Sequence, residues 1–211
     1  MNSVNYFDSI ADNWNVIRSE YFNETLKYLV LSKVNIKDKI CADLGCGTGF
    51  ISLALSLEAE LVFSVDSSKN MLKELSGTTS KKAMKNIHPI IGSMDSIPLF
   101  DNSIDAAFTN MALHHVVDAK KVISEMYRIL KSNGTAVVSD VKEHNGLWAK
   151  EEMFDEWLGF SEAQIRQWMT EAGFVDIEFE NTELSCKGYS SKGEFTETGI
   201  FIAKGRKGAN E

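Results

Sequence analysis

Residues 43–50, DLGCGTGF, combine an acidic side chain with three closely spaced glycines. The segment follows an apolar run and opens a helical pattern, so a strand turns into a helix here. Glycines permit a tight turn, positive φ angles and a close approach of a ligand to the backbone. The G-x-G-x-G spacing brings the third glycine one residue earlier than in the dinucleotide fingerprint. Asp43 would repel a pyrophosphate and attract a cation, so the loop predicts a nucleoside that carries positive charge.

A second acidic residue, Asp66, ends the next apolar run along the chain. An acid at this distance beyond a glycine loop can accept hydrogen bonds from both hydroxyls of a ribose. The alternative is that Asp66 only caps the helix that starts near Ser67 or Ser68. We favour ribose binding, because the acid and the glycine loop occur together at the expected interval.

The elements that must position these residues are apolar runs that alternate with helical patterns, which predicts a doubly wound α/β fold with a parallel sheet. The clearest helices run from 118 to 130 and from 161 to 172, each with a capping residue and an apolar face. Only a loop, predicted over 181–195, separates the last two strands, which should pair antiparallel at an edge. The predicted strands are Ile40–Leu44, Leu61–Val65, Ile87–Gly92, Ile104–Thr109, Thr135–Val141, Phe174–Glu180 and Thr198–Ala203.

Two segments lie outside this alternation. One is the helical N-terminal segment, residues 1–33, and the other is the connection 142–160, which contains Trp148, Phe154, Trp157 and Phe160. Such aromatic side chains are expected to pack a cap onto a domain. Because ligands of open α/β sheets bind beyond the carboxyl ends of the strands, both segments would also make lids. We therefore predict a single domain over 1–211, with an N-terminal lid and an aromatic-rich cap.

The composition excludes several classes of partner. Lys and Arg number 22 against 30 Asp and Glu, a net charge of −8 that repels phosphate backbones, so no nucleic-acid partner is expected. No stretch approaches ~18 apolar residues, which predicts no membrane span. Three cysteines (Cys41, Cys46, Cys186) form no C-x-x-C, which disfavours structural zinc and a disulfide framework. We expect a cytoplasmic protein.

A third stretch, residues 91–116, reads IGSMDSIPLFDNSIDAAFTNMALHHV. With DLGCGTG, VDSS and LKSNGTAVVSD, it resembles the class I S-adenosylmethionine-dependent methyltransferases, in their small-molecule, quinone-biosynthesis-like (type 11) group. GSMDSIPL stands where that group has G-D-A-E-x-L-P-F, and FDSIADNW resembles its N-terminal lid helix. The resemblance covers nearly the whole chain. It implies a Rossmann-like, seven-stranded, mostly parallel sheet of order 3-2-1-4-5-7-6 with an antiparallel last strand.

The same resemblance implies S-adenosyl-L-methionine as cofactor and S-adenosyl-L-homocysteine as product. Asp43 and the glycine loop would hold the methionine portion, the strand end at Asp66 the ribose, and residues 93–95 the adenine. Asn110 and Met111 would border the amino-acid and methyl end. The predicted cofactor-binding residues are Asp43, Gly45, Cys46, Gly47, Thr48, Gly49, Asp66, Ser67, Ser93, Met94, Asp95, Asn110 and Met111.

Two departures from the family pattern matter. Ser93 stands where an acid or Asn usually contacts the adenine amino group, which leaves open whether Ser93, the Met94 backbone or Asp95 makes that contact. Residues 110–113 read Asn-Met-Ala-Leu instead of Asn-Pro-Pro-aromatic, which weakens the resemblance to nucleobase methyltransferases.

Methyl transfer from a sulfonium is an in-line displacement, so the protein has to align the groups and exclude water. If the acceptor needs deprotonation, the candidate general bases are His114, His115 and His144. His144 with Asp140 supplies only two metal ligands, so we predict no metal site. The aromatic cap favours a hydrophobic or aromatic acceptor.

Two other functions remain open from the sequence. One is a non-catalytic S-adenosylmethionine-binding sensor or subunit, because cofactor binding does not prove turnover. The other is an NAD(P)-dependent oxidoreductase, against which the glycine spacing, Asp43 and the antiparallel final strand pair argue. The acceptor atom is undetermined, and the chain is expected to be a monomer or a homodimer.

Overall fold

A computed structural model describes residues 3–209, so the ends of the predicted lid and domain at 1–2 and 210–211 lie outside the described residues. One seven-stranded sheet has the order β3-β2-β1-β4-β5-β7-β6, which confirms the predicted topology. The strands are β1 Ile40–Leu44, β2 Leu61–Asp66, β3 Ile87–Ile91, β4 Ile104–Asn110, β5 Leu130–Val141, β6 Phe174–Tyr189 and β7 Phe195–Lys207. The helices are α1 Ser3–Ile10, α2 Trp14–Tyr21, α3 Thr25–Leu31, α4 Ser52–Leu55, α5 Lys69–Lys81, α6 Ala119–Ile129, α7 Trp148–Glu152 and α8 Glu162–Ala172.

The central strands β1 and β4 are buried on both faces, as expected for parallel strands covered by helices. One hydrophobic core includes the apolar faces of α6 and α8, and a second core on the other face includes residues of α3 and α5. The caps predicted for the two clearest helices form. The Asp118 side chain accepts from the Lys121 amide, the Ser161 side chain accepts from the Gln164 amide, and Gly173 ends α8 with a φ of 101°.

The last two strands differ from their prediction in length. β7 pairs antiparallel with β5 on one side and with β6 on the other, as expected. The predicted loop over 181–195 is wrong, because β6 continues to Tyr189 and only a short turn precedes Phe195. This extension has polar residues on both faces, and its register shifts between Asn181 and Ser185, so it lacks the alternation that signals a strand. Cys186 therefore lies in a strand.

The N-terminal helices cover the carboxyl ends of the strands. Asp8 in α1 accepts hydrogen bonds from the Ser68 hydroxyl (2.5 Å) and the Asn70 amide (3.0 Å), and the Asn70 side chain donates to the Asp8 carbonyl (3.0 Å). These bonds tie α1 to the start of α5. Leu26 and Val30 of α3 are fully buried in the core.

The connection 142–160 packs onto the same edge of the sheet. The amides of Glu156 and Trp157 both donate to the His114 carbonyl, and the Trp157 indole donates to the Val116 carbonyl at 2.9 Å. Trp157 and Phe160 pack with Trp168 of α8, which agrees with the predicted packing role of these aromatics. Within residues 3–209, no helix is both long and apolar enough to traverse a bilayer.

Candidate functional site

The glycine loop turns sharply after β1. The amides of Gly45 and Cys46 both donate to the Val65 carbonyl, at 2.8 and 3.1 Å, so the loop is anchored to the end of β2. Gly45, Gly47 and Gly49 have φ angles of 69°, 52° and 97°, which favour glycine. A Cβ at Gly45 would lie 2.6 Å from the Ala112 Cβ, so the absent side chain also lets the β1 and β4 ends approach each other.

Asp66 lies at the end of β2 beside this loop. One carboxylate oxygen accepts from the Gly47 amide and the other from the Ser68 amide, both at 2.8 Å. Burial raises the pKa of Asp66, against the lowering effect of these two amides. The cap of α5 is the Ser68 side chain, which accepts from the Met71 amide. Asp66 is therefore bound to the loop and not serving as the helix cap.

Asp43, Thr48 and Gly49 sit behind the loop surface. Asp43 Oδ2 accepts from the Ser52 amide (2.8 Å) and the Ser52 hydroxyl (2.5 Å), and the carboxyl is almost completely buried. This burial raises the pKa of Asp43 to about 7. The Thr48 hydroxyl donates to Asn15 Oδ1 at 2.7 Å, and the Gly49 amide donates to the Cys46 carbonyl. These three residues support the loop from below the cleft.

A cleft opens over the glycine loop. Its volume of about 430 Å³ lies within the range of ~300–1,000 Å³ for small-molecule sites. It runs along the carboxyl ends of the parallel strands and is covered by α1 and α2. The structure brings these predicted cofactor residues together along it: Gly45, Cys46, Gly47, Asp66, Ser67, Ser93, Met94, Asp95, Asn110 and Met111.

Two further features shape the cleft wall. The Ser93 hydroxyl donates to Asp95 Oδ1 at 2.5 Å, so these two side chains act as one polar unit. The Ser139 hydroxyl donates to Asn110 Oδ1 at 2.7 Å, which fixes the amide at the end of β4. Met111 follows with a φ of 51°, a conformation that is uncommon for a side-chain-bearing residue and clusters at functional sites.

Arg18 in α2 is a candidate site residue that the sequence analysis missed. Its guanidinium carbon lies 4.2 Å from the centre of the Phe50 ring, and one terminal nitrogen donates to Glu24 at 2.5 Å. The other two nitrogens, Nε and Nη1, are buried and make no hydrogen bond. Because Arg18 lines the cleft beside the glycine loop, these free donors can bind an anionic group there. A lone arginine on a short helix gives no sequence signal of this kind.

A second, smaller cavity of about 80 Å³ adjoins the cleft. Trp14, Phe22, Met111 and His115 line both spaces, so the two meet at the end of β4. The walls of the cavity come from α2, the turn at 113–115, the cap and the two last strands. Its apolar members are Trp14, Tyr21, Phe22, Met111, Val141, Trp148, Ala149, Met153 and Cys186.

The three predicted bases all line this cavity, but their environments differ. His114 Nδ1 is 2.6 Å from Asp140 Oδ1, and the two neighbouring carboxylates, Asp140 and Asp155, raise the pKa of His114 to about 9 despite its burial. Burial and the charge of His114 lower the pKa of His115. Burial also lowers the pKa of His144, whose Nδ1 accepts from the Gly146 amide at 3.1 Å. At neutral pH His115 and His144 are therefore uncharged, whereas His114 is not available as a base.

Asp155 is a second residue that the sequence analysis missed. Its carboxylate lies 3.1 Å from His115 Nδ1 and 3.9 Å from His114 Nε2. It belongs to the cap, which the hydrogen bonds to the His114 carbonyl hold in place. Because Asp155 and the histidines are far apart in sequence, no local pattern predicted this contact.

Comparison with known proteins finds similarity to methyltransferases. Residues 42–138 match a family profile described as "Methyltransferase domain". Over 138 residues the chain is 30% identical to malonyl-[acyl-carrier protein] O-methyltransferase of Hamiltonella defensa, covering 62% of this chain and 52% of that protein. Over 178 residues it is 28% identical to the demethylmenaquinone methyltransferase of a Geobacillus strain, covering 70% of this chain and 76% of that protein.

The fold is similar to that of phosphoethanolamine N-methyltransferase 2 of Haemonchus contortus, solved in complex with phosphomonomethylethanolamine and S-adenosylhomocysteine. The TM-score is 0.73 at 17% identity, covering 87% of this chain and 53% of that chain. This likeness establishes the fold alone. Several curated relatives are longer than the region they share with this chain, which spans 52%, 39% and 31% of three of them.

Proposed function

We propose that the chain is a class I S-adenosylmethionine-dependent methyltransferase and that it transfers a methyl group from S-adenosyl-L-methionine to a small-molecule acceptor. The observation that carries the proposal is the junction of the two spaces. Trp14, Met111 and His115 line both the cleft over the glycine loop and the small apolar cavity. One single-domain chain, with lid 1–33 and cap 142–160, would thus hold donor and acceptor side by side.

The residues of the cleft fit the donor. Asp66 would accept hydrogen bonds from the ribose hydroxyls, and the Gly47 and Ser68 amides already orient its carboxylate. The free nitrogens of Arg18 would bind the carboxylate of the methionine portion. The Ser93–Asp95 pair and the Met94 backbone would surround the adenine. Asn110 and Met111 then lie at the methyl end, next to the cavity.

When bound, S-adenosyl-L-methionine supplies a methyl group on a positively charged sulfur, and its transfer leaves a neutral thioether. The protein has to align the acceptor with that methyl group and keep water away, an effect that can be worth up to ~7–11 kcal/mol. The N-terminal helices and the cap contribute walls to both spaces. The Phe7 ring of α1 packs against the His115 ring, with 4.8 Å between the ring centres. Positioning of donor and acceptor between these walls is thus the main catalytic contribution that we propose.

The acceptor cavity favours a small, largely apolar molecule. Its wall is largely apolar, and its polar groups come from the three histidines, Asp155 and the edge strands at Lys187, Thr196 and Thr198. If the acceptor must lose a proton, His144 and His115 are the candidates, because the pKa of each is lowered and each is uncharged at neutral pH. His114 would instead be a fixed positive charge next to Asp140.

Calorimetry with the full chain tests the donor. We expect S-adenosylhomocysteine to bind with one site per chain and NADH not to bind. No heat with S-adenosyl-L-methionine or S-adenosylhomocysteine, for a protein with an intact fold by circular dichroism, would overturn the proposal. Binding of NADH alone would favour the oxidoreductase alternative.

Transfer is tested with methyl-labelled S-adenosyl-L-methionine and a panel of small phenols, thiols, amines and carboxylic acids. We expect label in at least one apolar acceptor and release of S-adenosylhomocysteine in equal amount. Cofactor binding without label transfer to the panel or to a cell extract would support the sensor or subunit alternative. In that case the transferase proposal is abandoned.

A further inference from the structure

Two imidazoles and a carboxylate form a cluster between the turn at 113–115 and the cap, and the proposed function gives the cluster as a whole no role. We propose that His114, His115 and Asp155 bind a divalent first-row transition-metal ion, such as Zn²⁺, at the wall of the acceptor cavity. His114 Nε2, His115 Nδ1 and Asp155 Oδ1 are the three ligand atoms. They all lie within 4.8 Å of one another.

The distances suit a shared ion. His115 Nδ1 is 3.1 Å and His114 Nε2 is 3.9 Å from Asp155 Oδ1. Two ligand atoms at ~2.1 Å from one ion lie about 3.0–3.5 Å apart, so small side-chain shifts bring all three into coordination. Two imidazoles and one carboxylate with open positions are a ligand set that divalent zinc and iron accept.

An independent observation points to a missing partner. His115 Nδ1 and Asp155 Oδ1 are both buried and lie 3.1 Å apart, but no well-directed hydrogen bond joins them. The Asp155 side chain is only 8% exposed. Leaving buried polar atoms unpaired costs free energy, and a cation between them would satisfy both.

The surroundings of His114 have the arrangement of a metal ligand with an outer carboxylate. Its Nδ1 is 2.6 Å from Asp140 Oδ1, so that nitrogen donates and Nε2 is directed to the cluster. Asp140 is itself held by the amides of Leu113 (3.0 Å), His114 (3.3 Å) and Val141 (2.7 Å). Outer carboxylates of this kind fix the tautomer and orientation of ligating histidines.

Charge supports the same conclusion. Two carboxylates face the buried His114, with Asp140 Oδ1 at 2.6 Å from Nδ1 and Asp155 Oδ1 at 3.9 Å from Nε2. A positive charge beside Nε2 would offset these two negative charges, and a metal ion can supply it. A metal ion would also be coordinated by His115. Its remaining coordination positions would face the cavity, which all three ligands line.

The role of the ion in catalysis rests on the proposed function. An acceptor hydroxyl or thiol that coordinates the ion would lose its proton more readily, because a bound cation lowers the pKa of its ligands. Since His115 Nδ1 is occupied in this arrangement, His144 is the group that would take the proton. The inference thus narrows the acceptor to a small molecule that offers an ionisable oxygen or sulfur.

Metal binding is tested on the full chain, stripped with chelator and dialysed. We expect one Co²⁺ per chain with visible d–d absorption, displaced by Zn²⁺, and competition with a chromophoric chelator gives the affinity. His115→Ala and Asp155→Asn should each lower the affinity at least tenfold. Asp140→Asn should lower it by about 10–100-fold without removing a ligand. His88→Ala, which removes an exposed imidazole on β3, is the matched control and should change nothing.

Calorimetry with S-adenosylhomocysteine accompanies each titration, so that the two proposals fail separately. Nucleoside binding without any metal binding overturns the metal site and leaves the transferase proposal standing. Metal binding without nucleoside binding overturns the transferase proposal and leaves the metal site standing. Metal affinity that is the same in His115→Ala as in the native chain also overturns the site, and so does a His114 imidazolium seen by ¹⁵N NMR that persists in excess Zn²⁺.

Discussion

The cleft and the adjoining cavity are built in different ways. The cleft takes its floor from the ends of neighbouring parallel strands, at 45–47, 66–67, 93–95 and 110–112, and one wall from α1 and α2. The cavity takes its residues from α2, the turn at 113–115, the cap and the edge strands β6 and β7. The floor of the donor side therefore follows from the sheet topology, whereas the acceptor side depends on segments added around it. This difference predicts that substitutions on the two sides separate cofactor affinity from turnover.

The largest expected effect is on the donor side. Asp66→Ala should lower the affinity for S-adenosylhomocysteine about 1,000-fold, because two charge-assisted hydrogen bonds to a ribose at ~1.5–3 kcal/mol each are lost. Calorimetry measures the change. Glu60→Gln, which neutralises an exposed acid just before β2, is the control and should bind normally. If Asp66→Ala binds as well as the native chain, Asp66 does not contact the ribose.

Arg18→Met should reduce S-adenosylhomocysteine affinity about 30-fold, through loss of one charge-assisted contact worth ~2 kcal/mol. The methionine side chain keeps the apolar packing on Phe50. The same variant should bind 5′-methylthioadenosine, which has no carboxylate, as tightly as the native chain does. An equal loss for both ligands would mean that Arg18 supports the cleft only through packing.

Substitutions on the acceptor side should lower turnover without changing the cofactor affinity. Cys186→Phe puts an aromatic ring into the cavity of about 80 Å³ and should lower kcat/KM for an acceptor at least tenfold. Its affinity for S-adenosylhomocysteine should stay within about twofold. Cys186→Ser keeps the cavity open and is the matched control. Were Cys186→Phe to weaken S-adenosylhomocysteine binding instead, the cavity would belong to the donor site.

The smallest effect on cofactor affinity is expected at Asp43, which lies behind the loop. Asp43→Asn should leave S-adenosylhomocysteine affinity within about threefold, since Oδ1 of the amide can still accept from Ser52. A large loss would instead place the Asp43 charge in direct contact with the ligand.

Stability measurements on Asp43→Asn give a second readout. The folded pKa of Asp43, about 7, is above its unfolded value, so the native state binds the extra proton and becomes less stable as the pH rises from about 4 to 7. The variant should lack this decline and be more stable than the native chain by about 1–3 kcal/mol at pH 8. Urea denaturation at pH 5 and pH 8 measures the difference, and a parallel decline in both proteins would contradict the assignment.

Much of the donor side could be predicted from the sequence because its signals are local. A strand, a glycine turn and the next strand's terminal acid lie close together along the chain, and their apolar runs gave the strands β1 to β4 within a residue. The same local logic predicted that Asp43 contacts the ligand. In the folded chain its carboxyl accepts a hydrogen bond from the Ser52 hydroxyl.

The acceptor side could not be predicted in the same way because its contacts are distant in sequence. Asp155 meets His115 only when the cap binds to the His114 carbonyl. The one donor-side residue with the same difficulty is Arg18, which reaches the cleft only when α2 folds over Phe50. The extension of β6 has no apolar alternation and is formed by pairing with β7. These features arise only in the tertiary structure. The hydrophobic periodicity of the individual segments does not predict them.

The hydrogen bonds of Asp8 to the first residues of α5 have a kinetic consequence. Phe7, the neighbour of Asp8, lines the cleft. We expect detachment of α1 from α5 to widen the opening through which a nucleoside exchanges with solvent. The affinity for the nucleoside and its residence time would then depend on different parts of the chain. Weakening the contacts of Asp8 should accelerate dissociation and association together and leave the equilibrium constant almost unchanged.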